Sequence, residues 1–215
     1  MSTIELIIFD CDGVLADTES IAAGVISAYF ADHGVVLSAA ECEARFAGAD
    51  LQETREAFIA LGGTAPDDFV ITIRASILEV LSHGVDPIDG VHDLLSQISL
   101  PFCVASGGRP EKIHQSLRLA NLLDHFGSNT FSAFDVGHHK PDPRLFLHAA
   151  ETMGVAPPNT LVVEDSRVGV QAGVAAGMTV VGYAGGRPAQ TLLDHGAHHI
   201  IDDMRRVSME TSEDQ

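Results

Sequence analysis

The sequence predicts an α/β protein, a doubly wound parallel sheet with helices on both faces and an all-helical unit inserted after the first strand. Three observations predict it. A short apolar run, Ile4-Glu5-Leu6-Ile7-Ile8-Phe9, opens the chain and ends in Asp10-Cys11-Asp12-Gly13. From roughly residue 100 onward, apolar runs of strand length alternate with segments of helix length, the pattern of a parallel sheet. Between these regions, residues 17–87 contain no convincing strand and read as helices. A segment of about 70 residues is far longer than an ordinary βα loop of about 2 to 6. The predicted division is therefore a core of 1–16 and 88–215 with a helical cap of 17–87.

The elements follow in order. Ile4–Phe9 is rich in β-branched and aromatic residues, as a strand buried on both faces requires. Asp10 ends it, and Asp12, two residues on along an extended chain, shares its face. Gly13 lets the backbone turn at once. Helices are predicted over 19–32, 38–46, 51–61 and 67–81. Ser38 and Glu41 stand at capping-box spacing, and Asp50 caps the third helix. Phe102-Cys103-Val104-Ala105 is the next strand, followed by Ser106-Gly107-Gly108. Pro110 then occupies a first helical turn that continues to Leu117. A strand is predicted over 130–136. Asp142 and Pro143 open a helix over 143–153, which Gly154 ends. Leu161-Val162-Val163 is a buried strand ending at Glu164-Asp165, and Ser166 caps a helix that stops at Gly177. Thr179-Val180-Val181 is a strand. A short helix near 188–194 and a strand near 198–201 complete the core, and the polar tail after Met204 is expected to fray.

Composition narrows the partners. Of 215 residues, 46% are hydrophobic, enough for a real core. Twelve Lys+Arg stand against thirty Asp+Glu, a formal net charge of −18. Such a surface repels nucleic acid, and the absence of Trp with few aromatics disfavours a base-stacking platform. Three scattered cysteines, Cys11, Cys42 and Cys103, fit reduced thiols in a cytoplasmic protein, with Cys11 and Cys103 as small buried hydrophobes. No run reaches about 18 apolar residues, so no membrane partner is expected. A monomer or weak homodimer is expected.

Two carboxylates on one face repel each other, and a hard divalent cation such as Mg²⁺ neutralises such a pair. A solvated loop with incidental acids is the alternative for this stretch alone. In a parallel sheet, Asp10/Asp12, Ser106, Lys140 and Glu164/Asp165 all fall at or just after strand ends, on the carboxyl edge where ligands bind. Singly, Lys140 reads as a surface residue and Ser106 as a helix cap, and Glu164-Asp165 reads equally as a cap. Their convergence is what points to chemistry. The pairs His138-His139 and His198-His199 lack metal-ligand spacing and read as surface residues.

Four motifs carry a resemblance. Asp10-Cys11-Asp12-Gly13-Val14-Leu15-Ala16-Asp17-Thr18-Glu19 resembles the first signature of the haloacid dehalogenase superfamily. Val104-Ala105-Ser106 is similar to the second, Lys140-Pro141-Asp142-Pro143-Arg144-Leu145-Phe146 to the third, and Glu164-Asp165-Ser166-Arg167-Val168-Gly169 to the fourth. All four occur in order. The inserted helices resemble the small cap of the phosphoglucomutase-like branch.

The resemblance implies a Rossmann-like core and a Mg²⁺-dependent phosphoryl-transfer enzyme acting on a small phosphorylated substrate. Asp10 is then the nucleophile that forms an aspartyl-phosphate, and Asp12 the acid/base. Lys140 balances charge. Ser106 and the amides of Gly107 and Gly108 meet the phosphate. The implied metal ligands are Asp10, the Asp12 main-chain oxygen and Asp165, with Glu164 as a further one. Arg45, Asp50 and Gln52 are the cap's candidate substrate contacts, and Arg109 a candidate for a second anionic group.

Departures from pattern choose among the branches. Asp12 is present, which disfavours carbon–halogen cleavage. Residues 17–87 contain no lysine, which disfavours phosphonoacetaldehyde hydrolysis by way of a Schiff base. Where β-phosphoglucomutases carry a cap histidine and a cap arginine, this chain has Ala22 and Leu51. A guanidinium fork is hard to replace in holding a second phosphate. A phosphatase of a sugar, polyol or sugar-acid phosphate is therefore expected ahead of a mutase. The competing classes are a phosphometabolite-binding protein on the same fold and a phospho-acceptor signalling domain.

Overall fold

The computed structural model describes residues 3–46, 49–185 and 189–207. Among these, six strands form one sheet: β1 (Leu6–Phe9), β2 (Phe102–Ser106), β3 (Thr130–Ser132), β4 (Thr160–Glu164), β5 (Thr179–Tyr183) and β6 (His199–Ile201). The order is β3-β2-β1-β4-β5-β6 and every pairing is parallel. The order reverses at β1, which is flanked by β2 and β4, and such a switch point opens a crevice at the carboxyl edge. Phe9 pairs with Val104 on one side and Val163 on the other. The residues one step further on, Asp10, Ala105 and Glu164, therefore emerge at one level.

All four residues of β1 are buried. Their period-2 alternation sends Leu6 and Ile8 into one core with Cys103, Phe146, Val162, Val170 and Val180. Phe9 packs edge-on against Phe102 and Phe126 on the opposite face. The core helices are α5 (Val91–Gln97), α6 (Pro110–Leu119), α7 (Leu123–Phe126), α8 (Ala133–Val136), α9 (Arg144–Met153), α10 (Arg167–Ala175) and α11 (Gln190–Asp194), and the inserted ones are α1 (Thr18–Asp32), α2 (Ala39–Phe46), α3 (Leu51–Ala60) and α4 (Phe69–His83).

The chain divides into two compact units, Met1–Ala16 with Asp86–Gln215, and Asp17–Val85. The return to the core comes two residues before the expected boundary. Pro87 bridges to Ala16, and Ile88 N–H donates to the Leu15 carbonyl, which ties this segment to the first loop. The second unit has its own aromatic core, with Phe30 4.6 Å from Phe58 and Phe58 5.5 Å from Phe69. Ser38 and Glu41 exchange the bonds of a capping box, as do Asp50 and Glu53.

Two expectations are corrected and one helix is added. The predicted strand over 130–136 stops at Ser132, whose hydroxyl caps α8 through Phe134 N–H and donates to the Gly108 carbonyl. Helix α5 has no counterpart in the sequence reading. It starts behind Gly90, a left-handed residue (φ 83°) rather than a polar cap. The helix expected from 143 begins at Arg144, whose N–H donates to the Asp142 carboxylate. Position 188 and the tail from 208 lie outside the described residues. All three cysteines are buried and unbridged, and burial pushes the Cys103 thiol up to about 12. Among the described residues, no helix is long and apolar enough to cross a membrane.

Candidate active site

The first loop is built by its own backbone. Asp10 N–H donates to the Val163 carbonyl, while Leu15 and Ala16 both return to the Cys11 carbonyl. Gly13 adopts φ +77°, and a Cβ there would stand 2.1 Å from Asp165 Oδ2. The residue must therefore be glycine for two reasons, its left-handed backbone and the carboxylate resting against it. That contact places Asp165 beside the Asp12–Gly13 backbone.

Lys140 is the hub. Its Nζ donates to Asp10 Oδ1 and Glu164 Oε1, each at 2.5 Å, and lies 4.9 Å from the Phe146 ring centre. The Lys140 and Asp10 side chains are 7% and 11% exposed and that of Glu164 is fully buried, so water screens these charges little. Burial by itself would lower the Lys140 pKa, but Asp10 and Glu164 raise it, so the ammonium keeps its proton. Burial drives Asp10 up against the pull of Lys140, and the charges of Glu164 and Asp12 add to the rise, to about 7. The cluster is short of positive charge.

Glu164, expected as a further metal ligand, meets protein groups through both oxygens. Oε1 takes Lys140, while Oε2 accepts from Asp165 N–H, Ser166 N–H and the Ser166 hydroxyl. Both oxygens are committed to holding the lysine and the start of α10. Gly169, on the first turn of that helix, makes room for this carboxylate, since a Cβ there would stand 1.8 Å from Glu164 Oε1. Gly169→Ala is thus expected to destabilise by about 1–3 kcal/mol through overpacking, although alanine is the better helix former. A thermal melt checks it, and a raised Tm would contradict the packing.

The Ser106 side chain is buried, and its Oγ accepts from Gly108 N–H at 3.1 Å. The Gly108 amide, expected to meet phosphate, is engaged by this turn. Gly107 is exposed, and Arg109 places its guanidinium 4.3 Å above the Phe134 ring. In the helical unit, Arg45 is an exposed residue of the last turn of α2, and the Asp50 carboxylate caps α3 by accepting from Gln52 and Glu53 N–H. Asp50 thus has a structural task of its own.

The sequence reading missed Lys112. Its Nζ donates to Asp12 Oδ2 at 2.6 Å from the first turn of α6. Burial opposes its charge, but Asp12 raises its pKa. The missing signal was countable, because the chain has only two lysines and this is the second.

The Asp165 carboxylate rests against Gly13, in the loop that carries Asp10 and the Asp12 carbonyl, and hard oxygens of this kind suit Mg²⁺, an ion bound through one or two carboxylates and completed by substrate and water. Among the described residues, no group of three His, Cys, Asp or Glu side chains forms a cage by itself, which this mode of binding does not need. The charge shortage around Asp10 suits the same ion.

Comparison with known proteins places this geometry. Residues 4–177 match the model of the haloacid dehalogenase-like hydrolases. The 6-phosphogluconate phosphatase of Escherichia coli is 36% identical over 185 residues, covering 84% of this chain and 82% of the relative. The fructose-1-phosphate phosphatase YqaB of the same organism is 30% identical over 180 residues, covering 81% and 94%. A haloacid dehalogenase-like protein of unknown function from Agrobacterium tumefaciens superposes with a TM-score of 0.91 at 33% identity, covering 97% of this chain and 98% of that one. With a parallel sheet ordered around β1 and the four motif segments at its carboxyl edge, this chain belongs to the haloacid dehalogenase-like hydrolase family.

Proposed function

We propose that this protein is a Mg²⁺-dependent phosphatase that hydrolyses a small sugar, polyol or sugar-acid phosphate through an aspartyl-phosphate on Asp10. The observation that carries the reading is the buried Lys140 ammonium between Asp10 and Glu164, with Asp12 two residues further along the same loop. The relatives named for 6-phosphogluconate and fructose 1-phosphate support the substrate class.

Asp10 attacks phosphorus, forming an O–P bond as the ester O–P bond breaks. Asp12 gives its proton to the departing oxygen, then takes one from the water that cleaves the aspartyl-phosphate. Lys140 holds the nucleophile and stabilises charge that develops on the transferring group. The Ser106 hydroxyl already accepts from Gly108 N–H, which leaves its own proton for a phosphate oxygen. Arg109 is the cation assigned to a second anionic group of the substrate. Asp10, Asp165 and the Asp12 carbonyl would hold Mg²⁺, which when bound supplies the positive charge that lets a phosphate dianion approach two carboxylates.

The test is an assay on 6-phosphogluconate and fructose 1-phosphate with Mg²⁺, following where the phosphate goes. Free phosphate is expected. Phosphate recovered on another carbon of the sugar would make the protein a mutase. Chelation is expected to cut the rate by about 100-fold or more, reversibly on adding Mg²⁺, and full activity after chelation would remove the metal from the reading.

A further inference from the structure

Both lysines of the chain meet an aspartate of the first loop, Lys140 at Asp10 and Lys112 at Asp12. The second pair joins segments 100 residues apart. Lys112 does not swing freely from the surface. Its neighbour Ile113 is buried, as are Ser116 and Leu117 one turn on, so α6 fixes its Cα. Its stem runs beside Gly108, with Cδ 3.6 Å from the point where a Cβ on that glycine would stand. The side chains are 39% and 23% exposed. A pair reached by water adds little to stability, so its value lies in where it holds Asp12.

We infer that Lys112 is a positioning residue for proton transfer, holding the Asp12 carboxylate by Oδ2 in the one rotamer from which it serves the substrate's leaving oxygen. This rests on the reading of Asp12 as the acid/base. The ammonium keeps its own protons throughout. In the first step the proton passes from the Asp12 carboxyl to the ester oxygen as that oxygen leaves phosphorus and Asp10 bonds to it. A carboxylate held in place loses less freedom on reaching the transition state, and small misplacements of a catalytic group are costly.

The leaving group supplies the test. An alkoxide must be protonated as it departs, whereas p-nitrophenolate leaves unaided. The ratio kcat/KM covers only the steps through phosphoryl transfer, so it reports this difference. Lys112→Met is expected to lower kcat/KM for 6-phosphogluconate about 10- to 100-fold while changing that for p-nitrophenyl phosphate less than about threefold, as a misplaced acid would. Lys112→Arg should restore most of the loss. An equal loss on both substrates, or no change at all, would overturn the inference. If Lys112→Met melts early, Lys112→Gln is read in its place. Asp12→Asn, run in parallel, separates the two layers. If it abolishes sugar-phosphate hydrolysis while Lys112→Met does nothing, the positioning role alone falls. If Asp12→Asn itself leaves activity intact, the acid/base reading falls.

Discussion

Asp10→Asn is expected to abolish turnover while the protein stays folded. An amide oxygen is a poor nucleophile, and removing the group that forms the covalent intermediate costs on the order of 10⁵-fold in kcat. The fold has little reason to suffer. Asp10 is buried near Glu164 and Asp12, and burial and those two charges raise its pKa. Replacing it by a neutral residue of the same shape relieves repulsion, and Lys140 keeps Glu164 as partner. The change in Tm should stay within about 4 °C, the equivalent of about 1 kcal/mol in a chain of this length. Initial rates and a thermal melt measure both. Rapid acid quenching with substrate should trap a phosphorylated wild-type chain and an unmodified variant. A variant that still turns over sugar phosphate would remove Asp10 from the chemistry.

Lys140→Met should lose activity and stability together. It leaves the carboxylates of Asp10 and Glu164 in a nearly dry cluster without the ammonium that joins them. Breaking a buried pair costs about 3–5 kcal/mol, which corresponds to a fall in Tm of about 6–20 °C. The pH dependence has a definite sign. In the variant Asp10 sits further above its unfolded pKa than in the wild type, because burial and the charge of Glu164 favour the protonated form and no ammonium opposes them. Between about pH 4 and 7 the Asp10 penalty is the same in both proteins; above about 7 the wild-type acid is ionised while the variant's penalty goes on growing. The share of the deficit that comes from Asp10 should therefore widen above about pH 7. The double variant Lys140→Met/Glu164→Gln should recover much of the Tm and none of the activity. A Lys140→Met protein as stable as wild type at neutral pH would mean that these charges are not buried together.

Local pattern carried most of the fold and much of the site into the sequence. The run Leu6–Phe9 had to be a two-faced buried strand, and the alternation beyond it had to stack as a parallel sheet. Strand ends in such a sheet share one edge, so Asp10, Ser106 and Glu164 are legible as neighbours from the sequence. Lys140 was legible only in their company, since a lysine by itself is a surface residue. Where local signals competed, the reading slipped. Thr130–Val136 looked like one strand, but the Ser132 hydroxyl captured Phe134 N–H and turned the chain into α8. Helix α5 begins at a left-handed glycine, which no polar cap announces.

The sequence by itself determined the architecture and the edge at which chemistry collects, because apolar periodicity, turns and caps are encoded within a few residues of one another. Only the tertiary structure decided how the charges are shared. It set Glu164 against Lys140 and the start of α10, and it brought Lys112 across 100 residues to Asp12. An ion pair is set by where two side chains end up in space, and a lysine carries the same charge in sequence whether it faces solvent or an aspartate.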